Sequence, residues 1–60
     1  MSENDKPLSQ VEAKLVADYL KSISKTPSTG WVSLWKLSPS QIANLYKVSA
    51  AEVIKAARRA

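Results

Sequence analysis

The chain has no cysteine and no histidine among its 60 residues. Without cysteine there is no disulfide framework, thiolate nucleophile or cysteine-based zinc site, and without histidine the commonest metal ligand and general base is missing. Only five side chains are acidic, and Glu12 and Glu52 fit helix capping better than catalysis. The sequence contains no carboxylate pair, no nucleophile with a base and no glycine-rich phosphate loop. We therefore expect no enzymatic function, no metal ion and no cofactor.

Long hydrophobic runs are also absent. No apolar stretch approaches the roughly 20 residues that cross a bilayer, and the first residues lack the basic and apolar regions of a signal peptide. The sequence thus predicts a cytoplasmic protein with no membrane partner. Glycine occurs once, proline three times, and hydrophobic residues make up 45% of the chain, which is a globular composition. We expect a single domain over residues 1–60, with a disordered polar terminus over residues 1–6.

Positive charge is concentrated in the second half of the chain. Residues 1–30 hold four lysines and four acidic residues, whereas residues 31–60 hold five basic residues and one glutamate, so the second half carries the whole net charge of +4. A segregated basic half is typical of a protein whose partner is rich in phosphate, and less often of one that binds an anionic membrane or an acidic protein. The alternative is a solvated face that only aids solubility.

The first predicted helix starts near Leu8 and ends near Ser24 or Lys25. Its apolar residues recur at steps of three and four, which predicts one buried face. That stripe comprises Leu8, Val11, Leu15, Tyr19 and Ile23, widened by Val16 and Leu20. Ser9 with Glu12 forms a capping box, although Pro7 also suits a first helical position.

The segment from Trp31 to Leu37 supports two interpretations. Its alternation of residue types allows a short extended segment between the first two helices, while the four-residue step from Trp31 to Trp35 allows a helical turn. Periodicity does not decide between them. At least one indole should cover the core, and the alternative for an exposed one is base stacking or partner binding.

Two further helix starts follow closely. Ser38 with Gln41, and Ser49 with Glu52, predict helices over residues 39–46 and 50–59. The first should bury Ile42, Leu45 and Tyr46, and the second Val53, Ala56 and Ala57. Because only Lys47 and Val48 separate Tyr46 from the capping serine, the two helices must cross steeply, as in a helix-turn-helix. The expected fold class is a small all-α three-helix domain.

Residues 41–53 resemble the helix-turn-helix of bacterial and phage regulators, and the GntR type in particular, whose core reads Ser-x-x-x-Leu-Ala-x-x-x-Gly-Val-Ser-x-x-x-Val. Ala43 is small where the helices cross, and Val48 helps to seal the corner. Lys47 stands where the family has glycine, which predicts a strained left-handed residue, and Ala50 stands where it commonly has arginine or another polar residue. The resemblance implies a transcriptional regulator, such as a repressor, that places its third helix in the major groove of double-stranded DNA.

The outer face of the third helix supplies most of the candidate contacts. Ala51 and Ile54 could touch thymine methyl groups, and Lys55 or Arg58 could reach a guanine edge or a phosphate. Serine hydroxyls, the turn lysine and the amide groups at a helix N-terminus could add backbone contacts. The candidate DNA-binding residues are Ser38, Ser40, Lys47, Ser49, Ala50, Ala51, Ile54, Lys55, Arg58 and Arg59.

Three alternatives remain open from the sequence. The GntR resemblance implies a β-hairpin wing after the third helix, so a sequence ending at Ala60 is either a wingless variant or part of a larger parent chain. Specific binding by so small a domain would ordinarily need a homodimer on two half-sites. The runner-up function is a protein interaction module that uses the third helix and the tryptophans, and a plain three-helix domain without a binding role is the simplest alternative.

Overall fold

The computed structural model describes residues 3–59, and this range folds into three α-helices and two short 3-10 helices without any strand. The all-α fold class is therefore confirmed. The helices are α1 (Gln10–Ser22), α2 (Pro39–Tyr46) and α3 (Ala50–Ala57), and the 3-10 helices are Glu3–Asp5 and Gly30–Ser33. Within residues 3–59 no helix is long and apolar enough to span a bilayer.

The first 3-10 helix (Glu3–Asp5) lies in the segment for which the sequence predicts disorder. It contacts both α2 and α3, so the chain entering the domain runs beside the last two helices. Residues 1 and 2, to which the same prediction applies, lie outside the described residues. Farther along, the backbone of Leu8 pairs with the segment before α2: its N–H donates to the Leu37 carbonyl at 2.9 Å, and its carbonyl accepts from the Lys36 N–H at 3.3 Å.

Helix α1 begins where its capping box predicts. The Ser9 hydroxyl accepts from the Glu12 N–H at 3.2 Å, and the Glu12 carboxylate accepts from the Ser9 N–H at 2.9 Å, so two otherwise unpaired donors are satisfied. The helix ends at Ser22, and Ser24 then takes a left-handed conformation with φ of 62°. The predicted end near Ser24 or Lys25 is thus two to three residues too late.

The buried face of α1 is centred on Ala13, Val16 and Leu20, all fully buried. The stripe predicted from Val11 and Ile23 is wrong at both positions, since their side chains are 55% and 38% exposed. Apolar residues surround more than half of this helix, so the sequence alone does not fix its inner face. That face is fixed by contacts with the second 3-10 helix and with α3.

The second 3-10 helix (Gly30–Ser33) lies in the segment for which the sequence allowed either an extended or a helical conformation. A 3-10 helix followed by a turn occupies the place of the possible extended segment. Leu34 is fully buried, and Trp31 packs against the core with its indole partly covered, as expected for at least one tryptophan. The Trp31 and Trp35 rings lie 6.2 Å apart between centroids, at an angle of 57°.

Helices α2 and α3 meet at a tight corner. The Ser38 hydroxyl accepts from the Gln41 N–H at 3.3 Å, which starts α2 at the predicted residue. Lys47 ends it in the left-handed conformation, with φ of 56° and ψ of 47°, and the Val48 N–H donates to the Ala43 carbonyl at 2.9 Å. This is the hydrogen bond of a Schellman motif, so the predicted corner is present.

Two details of this corner differ from the sequence prediction. Leu45 is 64% exposed rather than buried, because α1 packs against α3 and makes no contact with α2 in the described range, so no helix covers that side of α2. The second capping box is not formed: Ser49 is the N-cap of α3, but its side chain makes no capping hydrogen bond. Helix α3 also ends at Ala57, two residues before the predicted end.

Candidate nucleic-acid interface

Helix α3 separates a buried face from an exposed one. Val53, Ala56 and Ala57 are at most 5% exposed, as predicted, and they hold the helix against the core. At 100° per residue, the opposite direction is occupied by Ala51, Lys55 and Arg58, and all three are exposed. We call these three residues the outer face of α3. The burial of the inner face is what forces the outer face towards solvent.

Basic residues also stand before and after α3 along the chain. Arg59 is exposed beyond the C-terminal end of α3, and Lys47 is exposed at the turn before the helix. Among residues 3–59, Lys47, Lys55 and Arg59 form no ion pair, and Glu52 is the one acidic residue of α3. Because these cations are not neutralised within the described structure, their charge is available to an anionic partner.

Two of the predicted contact residues do not lie on this surface, and a third lies at its edge. Ser38 is 8% exposed and its hydroxyl caps α2, so it cannot face a ligand. Ala50 is half-buried and packs against the core, because it lies on the inner side of the first turn of α3. Ile54 is half-buried and, at 100° per residue, falls beside Arg58 at the edge of the outer face. Of the other two serines, Ser40 is half-buried, whereas Ser49 is exposed.

Ile54 lines a groove that sequence reasoning missed. The groove has a volume of about 210 Å³ and lies between α3, the start of α2 and the N-terminal segment; Lys6, Leu8, Pro39 and Arg58 also line it. It exists because the N-terminal segment runs beside α3. In the sequence, only the apolar residue Leu8 indicates that the N-terminal segment packs against the domain, and Leu8 by itself also fits the first turn of a helix.

The tryptophans form a separate surface. Trp35 is 37% exposed and Val32 is 55% exposed, and a lysine ammonium lies over each indole: Lys14 Nζ is 5.0 Å from the Trp31 ring centroid, and Lys36 Nζ is 4.8 Å from that of Trp35. The second 3-10 helix, which carries Trp31, makes no contact with α3 in the described range. Trp31 and the third helix, which the protein-interaction alternative uses together, are therefore not in direct contact.

The outer face of α3 carries groups that can bind anions. Ammonium and guanidinium groups can bind phosphate oxygens or carboxylates, and an exposed alanine permits close approach of a partner. Within residues 3–59, no three acidic side chains come close enough together to hold a metal ion. Comparison of the chain with protein-family models, curated proteins and solved structures found no match to any of them.

Proposed function

We propose that this protein binds double-stranded DNA through the outer face of α3, as a small helix-turn-helix regulator of the bacterial or phage kind. In this proposal α2 and α3 are the two helices of the motif, and the protein has no enzymatic activity. A regulator of this kind acts in the cytoplasm. Two copies, or a larger parent chain, would supply the second half-site contact that specific recognition needs.

The observation that carries the proposal is the orientation of α3 at the corner. The left-handed Lys47 separates α3 from α2, and the burial of Val53, Ala56 and Ala57 turns Lys55 and Arg58 outward. A helix that is anchored on one face and cationic on the other is the arrangement that helix-turn-helix proteins insert into the major groove.

The length of α3 fits that groove. Its eight residues, at 1.5 Å each, extend about 12 Å, which is close to the width of the major groove of B-DNA. With the helix inserted, the Ala51 methyl group is suited to contact a thymine methyl group, while Lys55 and Arg58 can reach guanine edges or phosphates. Lys47 and Arg59, one beyond each end of the helix, are suited to the phosphates on either side.

The test is a fluorescence anisotropy titration of labelled random duplex DNA at two salt concentrations. If Lys47, Lys55, Arg58 and Arg59 each neutralise one phosphate, log K should fall with log salt at a slope of about −3 to −4. Lys55→Ala should reduce that slope by about 1 and weaken binding at low salt.

Lys25→Ala is the matched control, since Lys25 is equally exposed but lies in the neutral half of the chain. It removes the same charge and should leave both slope and affinity close to those of the parent protein. Equal effects of the two variants would mean that net charge alone drives binding. Absence of binding at low salt would refute the proposal.

A second candidate function, a protein interaction module, is favoured by the exposed apolar side chains beside the tryptophan pair. Val32 and Trp35 are both exposed on the segment between α1 and α2, away from α3. Exposed apolar side chains close together are characteristic of partner surfaces. This function needs no DNA and could exist beside DNA binding in the same chain.

A further inference from the structure

A cleft lies between α1 and the loop that leads to the second 3-10 helix. Its volume is about 290 Å³, and we call it the indole cleft after the tryptophan in its wall. Pro27, Ala17 and Trp31 give it an apolar lining, and Pro27 is buried while the other two are half-buried. No residue of the outer face of α3 lines it.

Charged side chains of α1 surround the apolar lining. Lys14 and Lys21 lie one helical repeat apart on the same side of the helix, with Asp18 between them in sequence, so this rim carries a net charge of +1. The Lys14 ammonium is held over the Trp31 ring at 5.0 Å from its centroid. A cation in this position is steadied by the negative face of the indole and remains able to bind an anion.

We infer that the indole cleft binds an acidic peptide segment that carries one large apolar side chain. The inference develops the protein-interaction candidate and does not depend on DNA binding by α3. The apolar side chains that line the cleft are only Ala17, Pro27 and Trp31, and so small an apolar lining suits one apolar side chain. The positive rim is complementary to carboxylates on either side of that side chain.

The same geometry argues against a nucleobase as the occupant. Base stacking needs an open aromatic face. Here Lys14 covers one face of Trp31 and Lys36 covers one face of Trp35, and the two indoles pack against each other at a centroid distance of 6.2 Å and a tilt of 57°. An aliphatic side chain in the cleft needs only the apolar lining and can leave these contacts in place.

The probe is a capped pentapeptide with a central leucine and two acidic residues on each side, titrated into the intact protein. The chain has only two tryptophans, which lie in or beside the cleft, so intrinsic fluorescence reports binding without a label. The two indole N–H signals in NMR spectra provide a second readout. We expect saturable changes, and a loss of affinity of about tenfold or more when the leucine is replaced by serine, because its burial is lost.

Two variants of the rim should act in opposite directions. Lys14→Gln removes an attractive charge and should weaken acidic-peptide binding by about two- to fivefold, whereas Asp18→Asn removes a repulsive one and should strengthen it by a similar factor. Lys25→Gln is the control, because Lys25 is exposed but does not line the cleft. None of these variants alters the outer face of α3, so duplex DNA binding should not change.

Several results would overturn the inference. If peptides with lysine in place of the acidic residues bound equally well, charge complementarity would not contribute to binding. If the Lys14→Gln and Asp18→Asn variants kept the affinity of the parent protein, the peptide would not bind at the indole cleft. Binding of single-stranded oligothymidine that depends on Lys14 would assign the cleft to nucleic acid instead. If Lys55→Ala abolished peptide binding, the peptide would be bound at α3 and not here.

Discussion

Lys47 has two roles that a pair of substitutions can separate. Its left-handed conformation closes the corner between α2 and α3, and its exposed side chain is a proposed phosphate contact. Lys47→Gly removes the left-handed strain, which costs the folded state about 1 kcal/mol. This gain is partly offset because glycine has a greater backbone entropy in the unfolded chain. We expect a net gain of about 0.5 kcal/mol, which raises the Tm by about 2–4 °C.

Lys47→Ala is the companion variant, because alanine keeps the strain while removing the charge. Both variants should reduce the salt slope of DNA binding by about 1, but only the glycine variant should melt at a higher temperature. These effects are measured by thermal denaturation followed by circular dichroism and by the anisotropy titration. A glycine variant that melts below the alanine variant would contradict the account of the turn.

Single residues also show where prediction from sequence stops. The left-handed conformation of Lys47 was predictable from the resemblance, because the GntR type has glycine at this position. Ser24 and Lys36 have positive φ as well, at 62° and 69°, and no sequence signal marks either. Ile54 could not be assigned to a groove because its neighbours there, Leu8 and Pro39, come from distant parts of the chain.

The starts of α2 and α3 look alike in sequence but differ in structure, and this predicts unequal effects of serine-to-alanine substitution. Ser38→Ala removes the part-buried capping bond from the Gln41 N–H, so it should cost about 1 kcal/mol and lower the Tm by about 4–8 °C. Ser49 makes no capping bond, so Ser49→Ala should cost less than about 0.5 kcal/mol. Equal decreases in Tm would show that both serines cap their helices in solution.

The packing of the corner is tested by enlarging Ala43. This residue is 8% exposed, and its carbonyl accepts from the Val48 N–H. Ala43→Leu should cost about 1–3 kcal/mol through overpacking and lower the Tm by at least about 4 °C. Asn44→Leu adds the same side chain at the next, exposed position of α2 and serves as the control. An unchanged Tm in Ala43→Leu would argue against close approach of the helices there.

Whole elements were predictable where two local signals agreed. A capping serine followed by proline fixed the start of α2, and the left-handed Lys47 fixed its end. The end of α3 lacks such a signal, and its predicted end is two residues too late. The buried face of α1 depends on tertiary contacts, which no local pattern contains. The same limit applies to the interface: helical geometry predicts the outer residues, but it does not predict the burial of Ser38 or the partial burial of Ala50 and Ile54.

The size of the whole molecule determines how many copies a DNA duplex can hold. The domain measures 29 × 21 × 18 Å, and a duplex rises 3.4 Å per base pair, so one copy covers about 9 base pairs at most along its longest axis. A duplex of about 10 base pairs should therefore bind one copy, and a duplex of about 20 base pairs should bind two. Sedimentation equilibrium of the complexes at low salt measures both stoichiometries.

The same experiment distinguishes a monomeric from a dimeric binding unit. If the domain binds as a monomer, the shorter duplex saturates at one copy and the longer duplex fills in two independent steps, because nothing couples the copies. If two copies bind the longer duplex together even when DNA is in excess, the binding unit is a homodimer spanning two half-sites about 34–36 Å apart. Lys55→Ala should weaken each step without changing the number of copies bound, because it removes a DNA contact and not a contact between proteins. A change in stoichiometry in that variant would place Lys55 between two copies and would contradict its assignment to the DNA interface.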